Sequence, residues 1–359
     1  MNTGSSIRVA LIGYGMAGSL FHAPLIAATP GMRLTSIFTT DAQRAAQARA
    51  RFAGVQTIED LEVLWAQRPD LVVIASPNRS HYSLALQALR AGIAVVVDKP
   101  LAVSAAEAQH LVDEARQRGV LLSVFHNRRW DGDFLTLRKL LDTQRLGNVH
   151  RFESRFERWR PAPRPGWRQG SDPRDGGGVL LDLGSHLIDQ AALLFGPVQS
   201  LYAELDRRHP DTLVEDDAFV SLHHASGIRS HLWMSSMAAH DGPRLRVLGS
   251  NGAYVKRGTD GQEGGLRHGM LADDPSFGHE AESAWGQLIR GEECSAIESV
   301  PGQWKSYYTG IEQALHNGAP APVDAKDAVH TLHLIEAARR SASLVRVIRT
   351  DAVTGSALD

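Results

Sequence analysis

The most constraining stretch lies near the start of the chain. Ile7 to Ile12 is apolar except for Arg8, and it runs directly into Gly13-Tyr14-Gly15-Met16-Ala17-Gly18. Glycines at the first, third and sixth positions after a strand, where a helix opens, are a demanding combination. Gly13 permits a tight turn, Gly15 lets backbone approach a ligand, and Gly18 allows the helix to pack closely on the strand. The helix N-terminus then offers free N–H groups and a favourable dipole to phosphates. The string alone is weak. In this context it predicts a nicotinamide dinucleotide held by Gly13, Tyr14, Gly15, Met16, Ala17 and Gly18.

The pattern that follows supports the same fold. Leu34–Phe38, Leu71–Ala75, Ala94–Val97 and Leu121–Phe125 read as further strands, several of them apolar throughout, as strands covered on both faces must be. Helical patterns separate them at Asp41–Phe52, Ser80–Ala91 and Ser104–Arg118. Ser104 and Glu107 have the spacing of a capping box, and Gly92 and Gly119 stand where helices stop. The fold class is therefore α/β, with an N-terminal Rossmann doubly wound parallel sheet. A chain of 359 residues exceeds one ordinary core, so two domains are expected, at 1–126 and 127–359. After residue 126 a Pro- and Gly-rich stretch (Pro161–Gly178) precedes a strong helix, Val179–Phe195. Strand-like runs follow at Val198–Leu205, Ala218–His223, Ile228–Met237, Leu245–Gly249 and Ala253–Lys256, then helical patterns at Glu280–Arg290, Trp304–Asn317 and Asp324–Ser341. That order predicts a C-terminal α+β domain on an open, mostly antiparallel sheet.

Composition narrows the function. The formal charge of −2 leaves no basic surplus to neutralise phosphates, so no nucleic-acid partner is expected. The one cysteine, Cys294, excludes an internal disulfide and a Cys-based zinc site and fits a reducing compartment. The first apolar run is too short for a signal peptide, and nowhere do eighteen apolar residues run together. The expectation is a cytoplasmic protein with no membrane partner.

Several strand ends carry candidate chemistry. At the end of the second strand, where an NAD site usually places a carboxylate for the ribose, this chain has Thr39 and Thr40; Asp41 falls where a helix N-cap is wanted. The two hydroxyls and Arg44 suit a 2′-phosphate, so NADP is expected as the preferred cofactor, with NAD as the alternative; Arg44 as a plain solvated residue stays open. Ser76-Pro77-Asn78, with His81 just beyond, ends another strand in a turn beside the ligand crevice. Asp98-Lys99-Pro100 follows the next strand and brings an ammonium toward the same crevice, where it can hydrogen-bond a substrate hydroxyl. A surface Lys paired with Asp98 is the plain alternative. Asp182 and His186, four apart on an apolar helix, read as an embedded acid–imidazole pair, with a satisfied core histidine as the plain alternative.

Taken in order, these elements resemble the Gfo/Idh/MocA oxidoreductases over roughly residues 7 to 345. The resemblance implies a Rossmann domain followed by an open-faced sheet that forms the substrate site and the oligomer interface of a homodimer or homotetramer. It also implies a catalytic Lys in a Glu-Lys-Pro motif and a helical Asp-x-x-x-His pair. Lys99, Asp182 and His186 match these positions; Asp98 departs, standing where most members have Glu. The segment Phe125-His-Asn127-Arg128-Arg129-Trp130-Asp131 is similar to the branch containing NADP-preferring scyllo-inositol dehydrogenases. That similarity implies Asn127 near the nicotinamide and Arg128 facing substrate, with Lys99, Asp182 and His186. The reaction implied is hydride transfer between the nicotinamide and a secondary hydroxyl of a cyclic polyol or sugar. His186 would act as base, Lys99 would steady the alkoxide and Asp182 would orient both, without a metal; which of His186 and Lys99 takes the proton stays open. The rivals are an enzyme for another sugar or a dihydrodiol, and a non-catalytic NAD(P)-binding sensor.

Overall fold

The computed structural model describes residues 6–162, 172 and 175–350. The chain divides into two compact units. The first runs to Trp130 and takes in Gln262–Phe277 and Gln303–Val329; the second comprises Asp131–Gly261, Gly278–Gly302 and the chain from His330.

In the first unit, strands β1 (Ile7–Ile12), β2 (Met32–Phe38), β3 (Gln56–Ile58), β4 (Leu71–Ile74), β5 (Ala94–Asp98) and β6 (Leu122–Phe125) form one sheet in the order β3-β2-β1-β4-β5-β6. Every pairing is parallel. This is the doubly wound order, with its reversal between β1 and β4. Leu71 to Ile74 and Val95 to Val97 are wholly buried, each side chain contributing about 1.5–3 kcal/mol on leaving water. Ser104 caps the helix Ala105–Arg118 by accepting from Glu107 N, and Gly119 ends it in a left-handed conformation at φ +64°.

The second unit holds a nine-stranded sheet built from β7 (Val149–Glu157), β8 (Val198–Asp206), β9 (Asp217–His224), β10 (Arg229–Ser235), β11 (Leu245–Gly249), β12 (Gly252–Lys256), β13 (Gly286–Arg290), β14 (Glu293–Ile297) and β15 (Ile348–Arg349). The order is β14-β13-β12-β11-β7-β10-β9-β8-β15, antiparallel except where β10 runs parallel to β7. Alternation along β9 buries Ala218, Val220, Leu222 and His224 on one face. The helix Ser185–Phe195 packs on the sheet, with Phe195 5.2 Å from Phe152 between ring centroids. On β9, β10 and β7, Phe219 stacks 5.1 Å from Trp233, and the Arg155 guanidinium sits 3.9 Å over the Trp233 ring.

Some readings need correction. Glu280–Arg290 is not a helix: a short 3-10 turn at Glu282–Ala284 leads into β13, which pairs with β14 across a two-residue loop. Gly291 opens that loop at φ +59°, the conformation a tight hairpin asks for. The helix Gly132–Asp142 and strands β3, β7, β14 and β15 also lie outside the sequence reading. Of the Pro161–Gly178 stretch, residues 163–171, 173 and 174 lie outside the described residues. The chain first enters the second unit after Trp130 and returns to the first unit twice. The physical reason lies in aromatic packing. The helix Lys305–Asn317 sets Tyr307 and Tyr308 against Phe125, with ring centroids 5.0 and 5.9 Å apart.

Candidate active site

The carboxyl ends of the parallel strands bring together most of the residues expected to hold a dinucleotide. Gly13 adopts φ +97°, and a Cβ there would lie 2.6 Å from the Ala75 carbonyl oxygen, so the turn after β1 sits directly against the end of β4. At Gly18 a Cβ would fall 2.0 Å from Gly13 O. Gly15 is different: its Cβ position meets only Arg44 Nη1, at 3.9 Å. The glycine turn is thus closed by protein at its two ends and open in the middle, the shape a pyrophosphate needs. Tyr14 is buried, while Met16 is half exposed. Past Gly18 the chain makes one π-helical turn, Gly18–His22, before the α-helix Ala23–Ala27.

At the end of β2, Asp41 Oδ1 accepts from Gln43 N and Arg44 N, so this carboxylate caps the helix Ala42–Arg51. Its other oxygen lies 3.4 Å from Arg44 Nε. Thr39 is buried and its hydroxyl accepts from Asp41 N, whereas Thr40 is exposed. Of the three residues suited to a 2′-phosphate, Thr40 and Arg44 are therefore the accessible ones.

Beyond β4, the hydroxyls of Ser76 and Ser80 lie 2.6 Å apart, and Asn78 is buried. His81 is also buried: its Nδ1 lies 2.7 Å from Pro100 O and its Nε2 2.9 Å from Ser76 O. Both ring nitrogens face backbone carbonyls, which assigns the ring to tying the β4 turn to the Asp98-Lys99-Pro100 turn. Burial pushes its pKa down, against the opposing pull of those carbonyls and of Asp98. Lys99 stands at the carboxyl end of β5, partly exposed, and its backbone N donates to Asp98 Oδ1 at 2.9 Å. Burial would raise the Asp98 pKa, but the neighbouring His22, Lys99 and His81 outweigh it and hold the carboxyl below the usual range.

Asn127 and Arg128 occupy a 3-10 turn after β6. Asn127 is buried. Arg128 pairs with Glu263 at 3.3 Å and lies 6.0 Å over Trp304, while Glu263 also binds Arg267 at 2.7 Å. Arg267 in turn donates to Met16 Sδ at 3.4 Å, which links the segment Gln262–Arg267 to the glycine turn. Glu263 and Arg267 lie too far along the chain for a local pattern to reveal them.

Asp182 and His186 belong to the second unit. Asp182 lies in a π-helical turn, Leu180–Gly184, and His186 in the α-helix that continues it. Such widened turns recur at functional sites. Glu215 braces the start, its Oε1 accepting from Leu180 N at 3.3 Å and its backbone O accepting from Val179 N at 3.0 Å. Burial pushes the Glu215 carboxyl upward. His186 is buried with its ring 6.4 Å from Phe156. One turn on, Gln190 Oε1 accepts from Arg244 at 3.0 Å; Arg244 also donates to Ser154 Oγ and lies 3.0 Å from the buried Asp133 carboxylate. The helix that presents His186 is thereby keyed to the sheet by a buried ionic cluster. Among the described residues, no group of three or more His, Cys, Asp or Glu is placed to hold a metal, and no helix is long and apolar enough to cross a membrane.

Comparison with known proteins agrees with this anatomy. Residues 7–126 match the oxidoreductase family with an NAD-binding Rossmann fold, and residues 134–255 match the GFO/IDH/MocA C-terminal domain. The uncharacterised oxidoreductase YdgJ of Escherichia coli is 40% identical over 94% of this chain and 96% of its own. The scyllo-inositol 2-dehydrogenase (NADP+) IolW of Bacillus subtilis is 33% identical over 96% of each chain. Among solved structures, the oxidoreductase yvaA of Bacillus subtilis superposes with a TM-score of 0.90 at 32% identity, covering 96% of this chain and 98% of its own.

Proposed function

Given that the chain belongs to the GFO/IDH/MocA oxidoreductases, we propose that it is a cytoplasmic, NADP-preferring dehydrogenase acting on a secondary hydroxyl of a cyclic polyol or sugar, with scyllo-inositol the first candidate. The observation that carries the reading is Lys99 at the carboxyl end of β5, in the same sheet whose β1 ends in the open glycine turn. The full-length similarity to IolW supports the substrate class. A D-glucoside 3-dehydrogenase of Escherichia coli, 31% identical over 54% of this chain and 55% of its own, favours a pyranoside as second candidate.

When bound, the dinucleotide accepts or returns the hydride. The remaining work falls to the chain. Oxidation requires the hydroxyl to lose its proton as hydride leaves carbon. His186 takes that proton, Lys99 donates a charge-assisted hydrogen bond to the oxygen as it becomes an alkoxide, and Asp182 orients the imidazole. Arg128 and Asn127 complete the substrate and nicotinamide surroundings. Arg44 and Thr40 take the 2′-phosphate, and capping keeps the Asp41 carboxylate occupied. Homo-oligomers form through the half-buried aromatic face around Phe219 and Trp233.

Initial rates followed by nicotinamide absorbance, over inositols and pyranosides with NADP and NAD in parallel, test the proposal. Turnover of a cyclic polyol with NADP favoured is the expected result. Activity confined to other compounds refutes the substrate class, and an NAD preference above about ten-fold refutes the cofactor assignment.

A further inference from the structure

Behind Lys99 lies a buried group that the reaction as drawn does not use. His22, wholly buried in the π-helical turn after the glycines, packs its ring 4.3 Å from Phe125. Its Nδ1 lies 2.6 Å from the Tyr308 hydroxyl, and its Nε2 points toward Asp98 Oδ1 at 3.6 Å. That carboxylate oxygen is the one that accepts from Lys99 N.

The chemistry fixes the direction of the chain. An ionised carboxylate only accepts, so the nitrogen facing it, Nε2, carries the hydrogen. Nδ1 then has a lone pair and accepts from the phenol. Burial, with Tyr307 and Asp98 nearby, pushes the Tyr308 phenol well above its ordinary value, so it keeps its proton as donor. In this tautomer Nδ1 is the acceptor of the phenol hydrogen and the Nε2 hydrogen is directed at Asp98. At 3.6 Å the contact with Asp98 is longer than a formed hydrogen bond, as poised contacts often are before a ligand tightens a site.

We propose that Tyr308 and His22 form a buried relay, Tyr308 O–H to His22 Nδ1 and His22 Nε2–H to Asp98, that fixes the Asp98 carboxylate and through it the backbone of Lys99. Both are positioning residues for the hydride transfer. The inference rests on the reading that Lys99 acts on the substrate oxygen.

The test uses the full chain. Tyr308→Phe keeps the ring and removes only the donor; His22→Gln is the second variant; each is also combined with Lys99→Ala. Tyr308→Phe should lower kcat roughly ten-fold with KM for the dinucleotide within about three-fold, and should cost less than about two-fold in the Lys99→Ala background. Imidazole nitrogen NMR of the unmodified protein should show His22 as the Nε2–H tautomer. A wild-type kcat in Tyr308→Phe overturns the proposal. So does a loss that multiplies in full onto Lys99→Ala, or an Nδ1–H tautomer. Near-normal turnover of Lys99→Ala itself would instead refute the underlying role of Lys99, and the NMR result would still report whether the relay exists.

Discussion

Two glycines of one motif should respond to the same substitution in opposite ways. At Gly18, an added Cβ would stand 2.0 Å from Gly13 O and 3.0 Å from Gly13 C, far inside the 3.4 Å at which ordinary contact begins. The obstacle is backbone, so no side chain can swing aside. Relief requires the glycine turn and the following helical turn to separate, an overpacking cost of about 1–3 kcal/mol or more. At roughly 2–4 °C per kcal/mol, Gly18→Ala should lower Tm by about 2–12 °C. At Gly15 the same methyl meets only Arg44 Nη1 at 3.9 Å, and the free fold has room for it. Gly15→Ala should leave Tm unchanged, or raise it slightly through the stiffer unfolded chain, by about 0.4–1 kcal/mol. The methyl instead occupies the open middle of the turn, so dinucleotide affinity should fall by roughly ten- to a hundred-fold, about 1.4–2.8 kcal/mol. Differential scanning fluorimetry and fluorescence titration with NADPH read the two effects separately. Should Gly15→Ala unfold like Gly18→Ala, or bind NADPH like the parent, the assignment of the open middle to the pyrophosphate is wrong.

Asp182→Asn and His186→Ala should be grossly non-additive in kcat, the double variant being little worse than the more damaging single one; multiplicative losses would dissolve the pair. Arg44→Ala should shift the NADP:NAD ratio of kcat/KM toward NAD by roughly ten- to a hundred-fold, the worth of one charge-assisted hydrogen bond; an unchanged ratio rules Arg44 out. Asp98 has a folded pKa below its unfolded one, so its contribution to stability is present above an unfolded value near 3.9 and is lost as pH falls through the folded value. Asp98→Asn should therefore be less stable at neutral pH and show a flatter loss of stability on acidification in denaturant melts; parallel profiles would contradict the shift. Trp233→Asp should lower the sedimentation coefficient if the aromatic sheet face joins copies of the chain, and an unchanged value assigns the interface elsewhere.

The first unit was largely legible because its strands are buried on both faces and its glycines have mechanical duties. The motif at Gly13–Gly18, the cap at Ser104 and the left-handed stop at Gly119 are all local signals. Strand β7 was hidden for the opposite reason. Arg151, Glu153, Arg155 and Glu157 alternate along it and read as solvated, yet Glu153 is buried between Arg155 and Arg246. No periodicity encodes that compensation. His22 and Tyr308 were invisible because they are 286 residues apart and each alone is an ordinary core side chain. Asp182 and His186 stood out by their spacing, but the π-helical turn that holds Asp182 did not, since composition carries no sign of a widened turn.

The discontinuity of the first unit reaches beyond its architecture. Its dinucleotide sheet is complete by Phe125, yet the helix bearing Trp304, Tyr307 and Tyr308 is translated some 180 residues later. Until those residues emerge from the ribosome, Phe125 and His22 lack the aromatic side chains that cover them. Closure of the first unit around Phe125 is thereby a long-range event, and a fragment ending at residue 126 would lack the helix that completes it.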